Sequence, residues 1–236
     1  MAEFDEYADG YTAGMENPLK RLVGKDADDF LVVKARWLAR HLAGAASPLR
    51  LLDYGCGIGG FLRALRRVGL RAEMAGCDES AGMLDEALKH RTDGPMPALR
   101  LVSAQRAPFV DGAFDVVVLG SVLHHLGRDD RVRLISDALR VLAPGGRLVV
   151  FEHNPLNPVT QWVVRHTPID RNAHLLRSGT VVRELAALGA ARAMTRFLLF
   201  FPPRLAALAP LERWLSRVPL GGQYVVVAEK NSAARG

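Results

Sequence analysis

The sequence predicts an α/β fold in which a doubly wound parallel sheet carries helices on both faces. Three observations lead to this prediction. A short apolar strand, Arg50 to Asp53, turns through glycines into a helix with apolar periodicity, Phe61 to Val68. Strand-like and helix-like segments then alternate along the chain, which is the order of a parallel sheet. Two of the strands, Phe114 to Leu119 and Arg147 to Phe151, are almost wholly apolar, as expected of strands buried on both faces.

The length of 236 residues fits one domain, 1–236, with a large core. The first part should be an arm, Ala2 to Gly24, followed by a helix with Asp28 as its N-cap that ends near His41. In order along the chain we distinguish this arm and helix (1–45), a cofactor-binding core (46–153), an insertion (154–178), a helix-and-strand part (179–229) and a tail expected to be disordered (230–236).

The loop after the first strand has the character of a nucleotide site. Glycines lack a Cβ and so let the backbone approach a ligand closely, and amides at a helix start can meet polar or negative groups. Two patterns overlap here. Gly55, Gly57 and Gly60 match the dinucleotide motif G-x-G-x-x-G, whereas Asp53, Gly55, Gly57 and Gly59 match the acidic-x-G-x-G-x-G loop of S-adenosylmethionine enzymes. The loop alone does not separate the two.

A second strand, Ala72 to Cys77, ends on Asp78. In a doubly wound sheet this carboxylate lies beside the first glycine loop, where it can accept hydrogen bonds from both hydroxyls of a ribose. The alternative is that Asp78 caps the next helix, Ser80 to Lys89. Met83, in the first turn of that helix, suits packing against a flat purine or packing in the core.

The remaining elements complete an alternating pattern. A third strand, Leu99 to Ser103, precedes the buried strand at 114–119, and Pro144-Gly145-Gly146 stops a helix that runs from Asp129 or Asp130 to Leu142. The insertion 154–178 follows a central strand, so it should lie over the ligand-binding edge and act as an acceptor-binding lid. After it we expect a helix capped by Ser178 and ending at Leu188, a strand within Ala190 to Phe200, a helix from Leu205 to Leu215 and a last strand from Gln223 to Glu229.

Composition argues against several classes of function. The net charge is +6, but the arginines that supply most of it are scattered over helical faces without interleaved aromatic residues, so we expect no nucleic-acid partner. Cys56 and Cys77 are too few for a disulfide framework, and the acidic N-terminus does not resemble a secretory signal, so a cytoplasmic location is expected.

One segment, 196–217, carries apolar residues with arginines at its edges. It is too short and too interrupted to span a bilayer. It could rest on a membrane surface or cover a lipid-like acceptor. The alternative is a strand and a helix packed against the sheet.

Five blocks of sequence resemble class I S-adenosylmethionine-dependent methyltransferases, in particular the UbiE-like, "type 11" small-molecule group. They are LLDYGCGIGG, Asp78 followed by Ser-x-x-Met-Leu, APFVDGAFDVVV, SVLHHL and LAPGGRLVVFEH, which together cover about residues 50–153. Nicotinamide enzymes share only the first of these. The resemblance implies a Rossmann-like sheet of seven strands whose last strand, Gln223 to Glu229, is inserted antiparallel beside a neighbour. It also implies S-adenosyl-L-methionine as cofactor and S-adenosyl-L-homocysteine as product.

The resemblance further implies which residues bind the cofactor. Asp53 and the three alternate glycines would line its methionine end, Asp78 would hold its ribose, and Met83 would flank its adenine. Many relatives have Gly-Asp-Ala where this chain has Val102-Ser103-Ala104, so Ser103 and Ala104 would supply the adenine contact with a hydroxyl or a carbonyl. Gly120 would lie near the cofactor at the end of the fourth strand. Tyr7 and Tyr11 resemble N-terminal tyrosines that close over the methionine group in some relatives.

Methyl transfer from a sulfonium depends mainly on alignment, which contributes roughly 7–11 kcal/mol. A general base would assist a hydroxyl acceptor, and histidine suits that role. The candidates at strand ends are His125 and His153, with His124 beside them and Glu152 able to orient an imidazole or the acceptor. At least one of the adjacent histidines is expected to be structural, and Glu152, Asn154 and Asn157 could equally satisfy a loop backbone. His166, Asp170 and His174 in the insertion are weaker candidates.

No metal site is expected, because His124 and His125 are neighbours and should not face one ion. The predicted function is methyl transfer to oxygen or carbon of a small-molecule or lipid-linked acceptor. Two alternatives remain: a cofactor-binding protein without transfer activity, acting as a scaffold or partner subunit, and an NAD-linked oxidoreductase. Neither the acceptor nor the oligomeric state has a signature in the sequence.

Overall fold

A computed structural model describes residues 27–45, 48–90, 97–104, 106–170 and 172–232. The helices are α1 (Ala27–His41), α2 (Gly60–Arg67), α3 (Ala81–Lys89), α4 (Arg128–Val141), α5 (Pro158–Arg165), α6 (Ser178–Ala187) and α7 (Ala209–Leu215), with 3₁₀ helices at Leu123–His125, Pro168–Asp170 and Pro203–Leu208. The strands are β1 (Leu49–Tyr54), β2 (Ala72–Asp78), β3 (Ala98–Leu101), β4 (Phe114–Gly120), β5 (Leu142–His153), β6 (Ala190–Leu198) and β7 (Gln223–Lys230).

The strands form one seven-stranded sheet in the order β3-β2-β1-β4-β5-β7-β6. The first five pair in parallel, whereas β7 lies between β5 and β6 and is antiparallel to both. The predicted Rossmann-like sheet with an inserted antiparallel strand is therefore confirmed. The chain order reverses direction between β1 and β4, and at such a switch point the carboxyl ends of parallel strands leave a crevice for a ligand.

Apolar side chains on the two faces of the sheet form separate clusters because successive strand residues point to opposite sides. On β4, Val117 and Leu119 pack with residues of α4 and α6, whereas Val116 and Val118 pack with residues of α1 and α2. All four of these valine and leucine side chains are 0–1% exposed. The common direction of β1 to β5 places the polar residues at their carboxyl ends on one edge of the sheet.

Several element boundaries differ from the predictions. Helix α1 includes Ala27, so Asp28 lies in its first turn and does not precede it. The N-cap of α6 is Arg177, and Ser178 is the first helical residue. Strand β3 ends at Leu101, two residues early, and the predicted helix from Leu205 divides into a 3₁₀ helix and α7. These shifts are one or two residues or a local change of helix type, the scale on which boundary signals are weak. Strand β5 differs more, because it begins at Leu142, five residues before the predicted Arg147, and includes Pro144-Gly145-Gly146.

The predictions for the two ends of the chain have different outcomes. The predicted arm, Ala2 to Gly24, lies outside the described residues. The prediction that a disordered tail begins at Lys230 is wrong, because this residue is the last of β7 and its Nζ donates to the carbonyl of Leu142 at 2.7 Å. Residues 233–236 of the predicted tail also lie outside the described part. None of the helices in the described ranges combines the length and the apolar character that a membrane crossing requires.

Candidate active site

The loop between β1 and α2 is fastened to the end of β2. The amides of Gly55 and Cys56 both donate to the carbonyl of Cys77, at 2.8 and 3.0 Å, and the Gly57 amide donates to Asp78 Oδ2 at 2.7 Å. Gly55 has φ +80°, and a Cβ there would lie 2.6 Å from a methyl group of Val122. Only glycine therefore fits this position, for reasons of both conformation and space.

The Asp78 side chain is 9% exposed and also accepts a hydrogen bond from the Ser80 amide at 3.0 Å. The alternative interpretation, that Asp78 caps α3, is wrong, since the N-cap is Ser80, whose hydroxyl accepts from the Met83 amide at 3.1 Å. A carboxylate has about four acceptor positions. The amides of Gly57 and Ser80 occupy two of these positions.

Two glycines near this carboxylate have room beside them. Among the described residues, no atom would lie within 4 Å of a Cβ placed at Gly57 or at Gly120, which follow β1 and end β4 on either side of the switch point. Gly59 is the N-cap of α2 and is buried, with φ +72°. The loop and the end of β4 thus form a cradle in which a ligand could lie close to the backbone.

The other predicted cofactor residues lie in different settings. Met83 is 2% exposed and belongs to the core side of α3. Ser103 and Ala104 lie in an exposed turn after β3, where Ser103 pairs with Arg106 and Ala104 has φ +49°. Tyr11 lies outside the described residues.

Asp53, at the end of β1, is 2% exposed. Burial raises the pKa of its carboxyl to about 7, and the negative charge of Asp78 adds to this rise while the ammonium of Lys34 opposes it. The Asp53 carboxyl therefore takes up a proton in the folded protein near neutral pH, far above its ordinary range.

We expect this raised pKa to affect folding stability. In the unfolded chain Asp53 loses its proton near pH 4, but in the folded protein it keeps the proton until about pH 7, so its contribution to the free energy of unfolding falls as pH rises between those values. The full decrease is at most about 4 kcal/mol for three pKa units. Urea unfolding of wild type and Asp53→Asn at pH 4 and pH 7.5 should show the variant gaining stability relative to wild type. Parallel pH dependences would contradict the assignment.

Lys34 on α1 is a buried cation that the sequence-based prediction missed. Its side chain is 5% exposed, and its Nζ donates to Ser121 Oγ at 3.0 Å and lies 5.9 Å from the centre of the Phe151 ring. Ser121 follows β4 directly and has φ +61°. A signal was present in the sequence, because position 34 is four residues after Phe30 and four before Leu38, on the apolar face of the helix.

The candidate catalytic residues meet where β4 and β5 end. His124 is 1% exposed, and its Nδ1 lies 2.5 Å from Glu152 Oε2; Glu152 Oε1 accepts from the Leu123 amide at 2.8 Å. Burial opposes the charged form of His124, but the carboxylates of Glu152 and Asp170 outweigh it and raise the pKa of His124 to about 9. Burial likewise opposes the ionised form of Glu152, but the positive charge of His124 holds its pKa below the ordinary value. The two residues form a buried ion pair.

The two predicted bases flank this pair. The His125 ring lies 4.1 Å from the His124 ring, and the His153 ring lies 5.1 Å from it. Burial and the charge of His124 lower the pKa of His125 to about 4 and that of His153 to about 3. Both imidazoles are therefore neutral at pH 7 and able to accept a hydrogen bond, and so low a pKa makes each a weaker base than an ordinary histidine.

Asp170 joins the cluster from the insertion. Its Oδ1 lies 3.6 Å from Nε2 of His124 and 3.6 Å from Nε2 of His125. The prediction that the adjacent histidines could not face one ion is wrong, because the ligand atoms of His124, His125 and Asp170 all lie within 4.8 Å of one another. The 3₁₀ turn at Leu123–His125 has a three-residue repeat, so it does not hold consecutive side chains on opposite sides as a strand would.

Polar residues of the insertion mostly support loops. Asn154 Nδ2 donates to the carbonyls of Pro219 and Gly221, and Asn157 Nδ2 donates to that of Leu220. The loop-satisfying interpretation of these two asparagines is therefore confirmed. His166 and His174 have exposed side chains, and the His174 amide donates to the His124 carbonyl at 2.7 Å. The backbone of the insertion is in this way attached to the turn that carries the catalytic candidates.

Comparison with known proteins finds similarity to methyltransferases. Residues 52–150 match the family described as "Methyltransferase domain". The chain is 32% identical over 138 residues to the ubiquinone/menaquinone biosynthesis C-methyltransferase UbiE of Desulfotalea psychrophila, covering 56% of this chain and 55% of that protein. It is 34% identical over 141 residues to the demethylmenaquinone methyltransferase of Thermus thermophilus, covering 58% of this chain and 60% of that protein. This chain thus spans little more than half the length of these curated relatives.

A solved structure has the same architecture over nearly the whole chain. It is a possible histamine N-methyltransferase from Thermotoga maritima, which aligns with a TM-score of 0.67, 16% identity and coverage of 97% of this chain and 98% of that one. At this level of identity the likeness concerns the fold alone.

Proposed function

We propose that the protein transfers the methyl group of S-adenosylmethionine to oxygen or carbon of a small-molecule or lipid-linked acceptor, since residues 52–150 match the family described as "Methyltransferase domain". The observation that carries the proposal is the Asp78 carboxylate at the end of β2. It fastens the glycine loop through the Gly57 amide and borders the open cradle between Gly57 and Gly120. A nucleoside whose ribose faces Asp78 would fill that cradle.

Different residues would bind different parts of the cofactor. Asp78 would accept hydrogen bonds from the two ribose hydroxyls, and the glycine loop would lie against the methionine moiety. Asp53 lies beneath that end of the loop, where its ionised form would pair with the α-ammonium of the cofactor. Such pairing would lower the raised pKa of Asp53.

The bound cofactor supplies a methyl group already activated by the sulfonium charge. The main task of the protein is therefore to align the acceptor atom with that methyl group, which contributes roughly 7–11 kcal/mol to lowering the barrier. His125 and His153 are available as proton acceptors on the acceptor side, and the His124–Glu152 ion pair holds the turn between them. The insertion 154–178 would cover the acceptor, since Asp170 and His174 both contact this turn.

Calorimetry together with a transfer assay tests the proposal. The purified chain should bind S-adenosylhomocysteine with one-to-one stoichiometry and should not bind NADH. Incubation with deuteromethyl-labelled S-adenosylmethionine and a panel of quinols, phenols and thioester carboxylic acids should give a labelled product by mass spectrometry. Binding of NADH but not of S-adenosylhomocysteine would favour the oxidoreductase alternative. Cofactor binding without transfer to any lipid or small-molecule fraction would favour the scaffold.

For the base, we expect His153→Gln to lower kcat by about 10²–10⁴-fold on a hydroxyl acceptor while the Kd for S-adenosylhomocysteine stays within about twofold. Glutamine keeps a hydrogen-bonding side chain of similar length but cannot accept the proton. His125→Gln is the companion variant, and the one with the larger loss in kcat identifies the base. His90→Gln, on an exposed helix end, is the control. Equal and small losses in all three would remove the base from the proposal.

Only some of the residues considered for membrane contact, 196–217, have exposed apolar side chains. Phe197 and Leu198 are buried in β6, so for them the packed-strand alternative applies. Eight large apolar side chains beyond them are 37–74% exposed. They lie on two segments, 156–162 and 205–220, and hydrogen bonds from Asn154 and Asn157 join these segments. We call these eight side chains the apolar surface: Leu156, Val159, Trp162, Leu205, Leu211, Trp214, Val218 and Leu220.

The charges around the apolar surface match an anionic bilayer. Three arginines are exposed beside it: Arg165, Arg213 and Arg217. The half-buried carboxylate of Glu212 accepts hydrogen bonds from the amides of Phe200 and Phe201. The surface is continuous in sequence with the insertion that would cover the acceptor. We propose that it rests on anionic phospholipid and brings the acceptor site to a lipid-linked molecule.

Vesicle co-sedimentation checks this contact. The protein should co-sediment with phosphatidylglycerol vesicles, and Trp214→Ser should weaken binding by about tenfold or more, because withdrawing one large apolar side chain from lipid costs roughly 1.5–3 kcal/mol. Val110→Ser, which removes an exposed apolar side chain on another part of the surface, should leave binding unchanged. Absence of co-sedimentation at low salt would refute the membrane contact and leave the methyltransferase proposal intact.

A further inference from the structure

We propose that His124, His125 and Asp170 form a binding site for one divalent transition-metal ion, with Zn²⁺ as the best match. Two imidazole nitrogens and one carboxylate oxygen are the ligand set that zinc takes when a fourth position stays open. The three residues come from the turn after β4 and from the 3₁₀ helix at Pro168–Asp170. This inference goes beyond methyl transfer and does not rest on it.

The distances fit a tetrahedral ion. Two ligands each about 2.0–2.1 Å from zinc and separated by a tetrahedral angle lie about 3.3 Å apart. Asp170 Oδ1 lies 3.6 Å from Nε2 of each histidine, and all three ligand atoms lie within 4.8 Å of one another. The Asp170 distances exceed this spacing by about 0.3 Å, and the two imidazoles would turn toward each other to complete the set around an ion. No other group of this kind occurs in the described parts of the chain.

The surroundings of His124 give an independent reason. Its Nδ1 faces Glu152 Oε2 at 2.5 Å, so a proton on that nitrogen is held there, and a metal ion at Nε2 would replace the second proton of the charged ring. Histidines that bind metals usually donate their second ring N–H to a carboxylate in this way. Nε2 of His124 is also buried, and no described residue lies within hydrogen-bond distance of it, which is rare for a buried polar atom. A metal ion at this point would satisfy it.

The location suggests what the ion would do. Three protein ligands leave a fourth position, which would accept water or an oxygen atom of the acceptor. The ion would also join the insertion to the core, since Asp170 belongs to the segment 154–178 and the histidines belong to the turn after β4. If the site is occupied, His125 is a ligand and His153 is the remaining candidate for the base.

Metal titration of the full chain, with any affinity tag removed, tests the site. Chelator-treated protein should bind one Co²⁺ per chain with the visible absorption of a four-coordinate ion, and Zn²⁺ should displace it. Asp170→Asn and His125→Ala should each weaken metal binding by more than about 100-fold, because even substitutions outside the ligand set cost about 10–100-fold. His90→Ala, in which the removed histidine is exposed, is the matched control.

Two further measurements on Asp170→Asn separate a loss of metal binding from a loss of folding. S-adenosylhomocysteine binding by Asp170→Asn should equal that of wild type, which shows that the variant is folded and separates the metal site from the proposed methyl transfer. In wild type, Zn²⁺ should raise Tm, and this rise should disappear in Asp170→Asn. Wild-type protein that binds no Co²⁺, or that binds it equally well in both ligand variants, would overturn the proposal.

Discussion

Asp78→Ala is expected to weaken S-adenosylhomocysteine binding by about 30-fold to 1,000-fold, or about 2–4 kcal/mol. The side chain would accept two ribose hydroxyls, and each hydrogen bond to a charged group contributes about 1.5–3 kcal/mol. The variant also removes the acceptor of the Gly57 amide at 2.7 Å, so the glycine loop loses the contact that fixes it to β2. Isothermal titration calorimetry at constant salt measures the change.

Two further variants separate these contributions. Asp78→Asn keeps one oxygen acceptor in nearly the same shape, so it should retain the loop and show a smaller loss in affinity. Glu73→Ala removes an exposed carboxylate from the start of the same strand and should leave affinity unchanged. An Asp78→Ala protein with the wild-type Kd would remove Asp78 from the cofactor site.

The parts of the fold that the sequence predicted are those controlled by local patterns. The apolar stretches of β4 and β5, Val116 to Leu119 and Leu148 to Phe151, show their burial in their own residues, and the glycines of the first loop mark a turn that only they can form. The order and direction of β7 came from a family resemblance, because nothing within Gln223 to Glu229 states which strands it will pair with. The N-caps shifted by one or two residues, as at Arg177, because several polar residues near a helix start can serve equally well.

The candidate site was predicted in part, and the reason is distance along the chain. Asp53, Asp78 and the glycines lie in or next to strands whose pattern places them at one edge of the sheet. Asp170 lies 46 and 45 residues after His124 and His125, in a segment without periodicity, so its approach to both depends on how the insertion folds over the core. Lys34 was overlooked for a different reason: its position on an apolar helix face was visible, but its partner Ser121 is 87 residues away.

His124→Ala should destabilise the fold more than any other single substitution at the strand ends. Removal of the imidazole leaves the Glu152 carboxylate, 0% exposed, with the Leu123 amide as its remaining partner among those described, and an unbalanced buried charge costs about 3–5 kcal/mol. Because small domains have unfolding free energies of only about 5–15 kcal/mol, this loss should be plain in urea unfolding followed by circular dichroism.

The matched test of the mechanism is a double variant. In His124→Leu/Glu152→Leu no charge is left behind, and replacement of a buried ion pair by apolar side chains is often nearly neutral, so most of the lost stability should return. Glu86→Ala, which breaks an exposed pair with Lys89, should leave the unfolding free energy nearly unchanged. If the double variant is as unstable as His124→Ala, the loss of stability comes from packing and not from an unpaired buried carboxylate. The ion pair would then have no special part in holding the turn that carries His125.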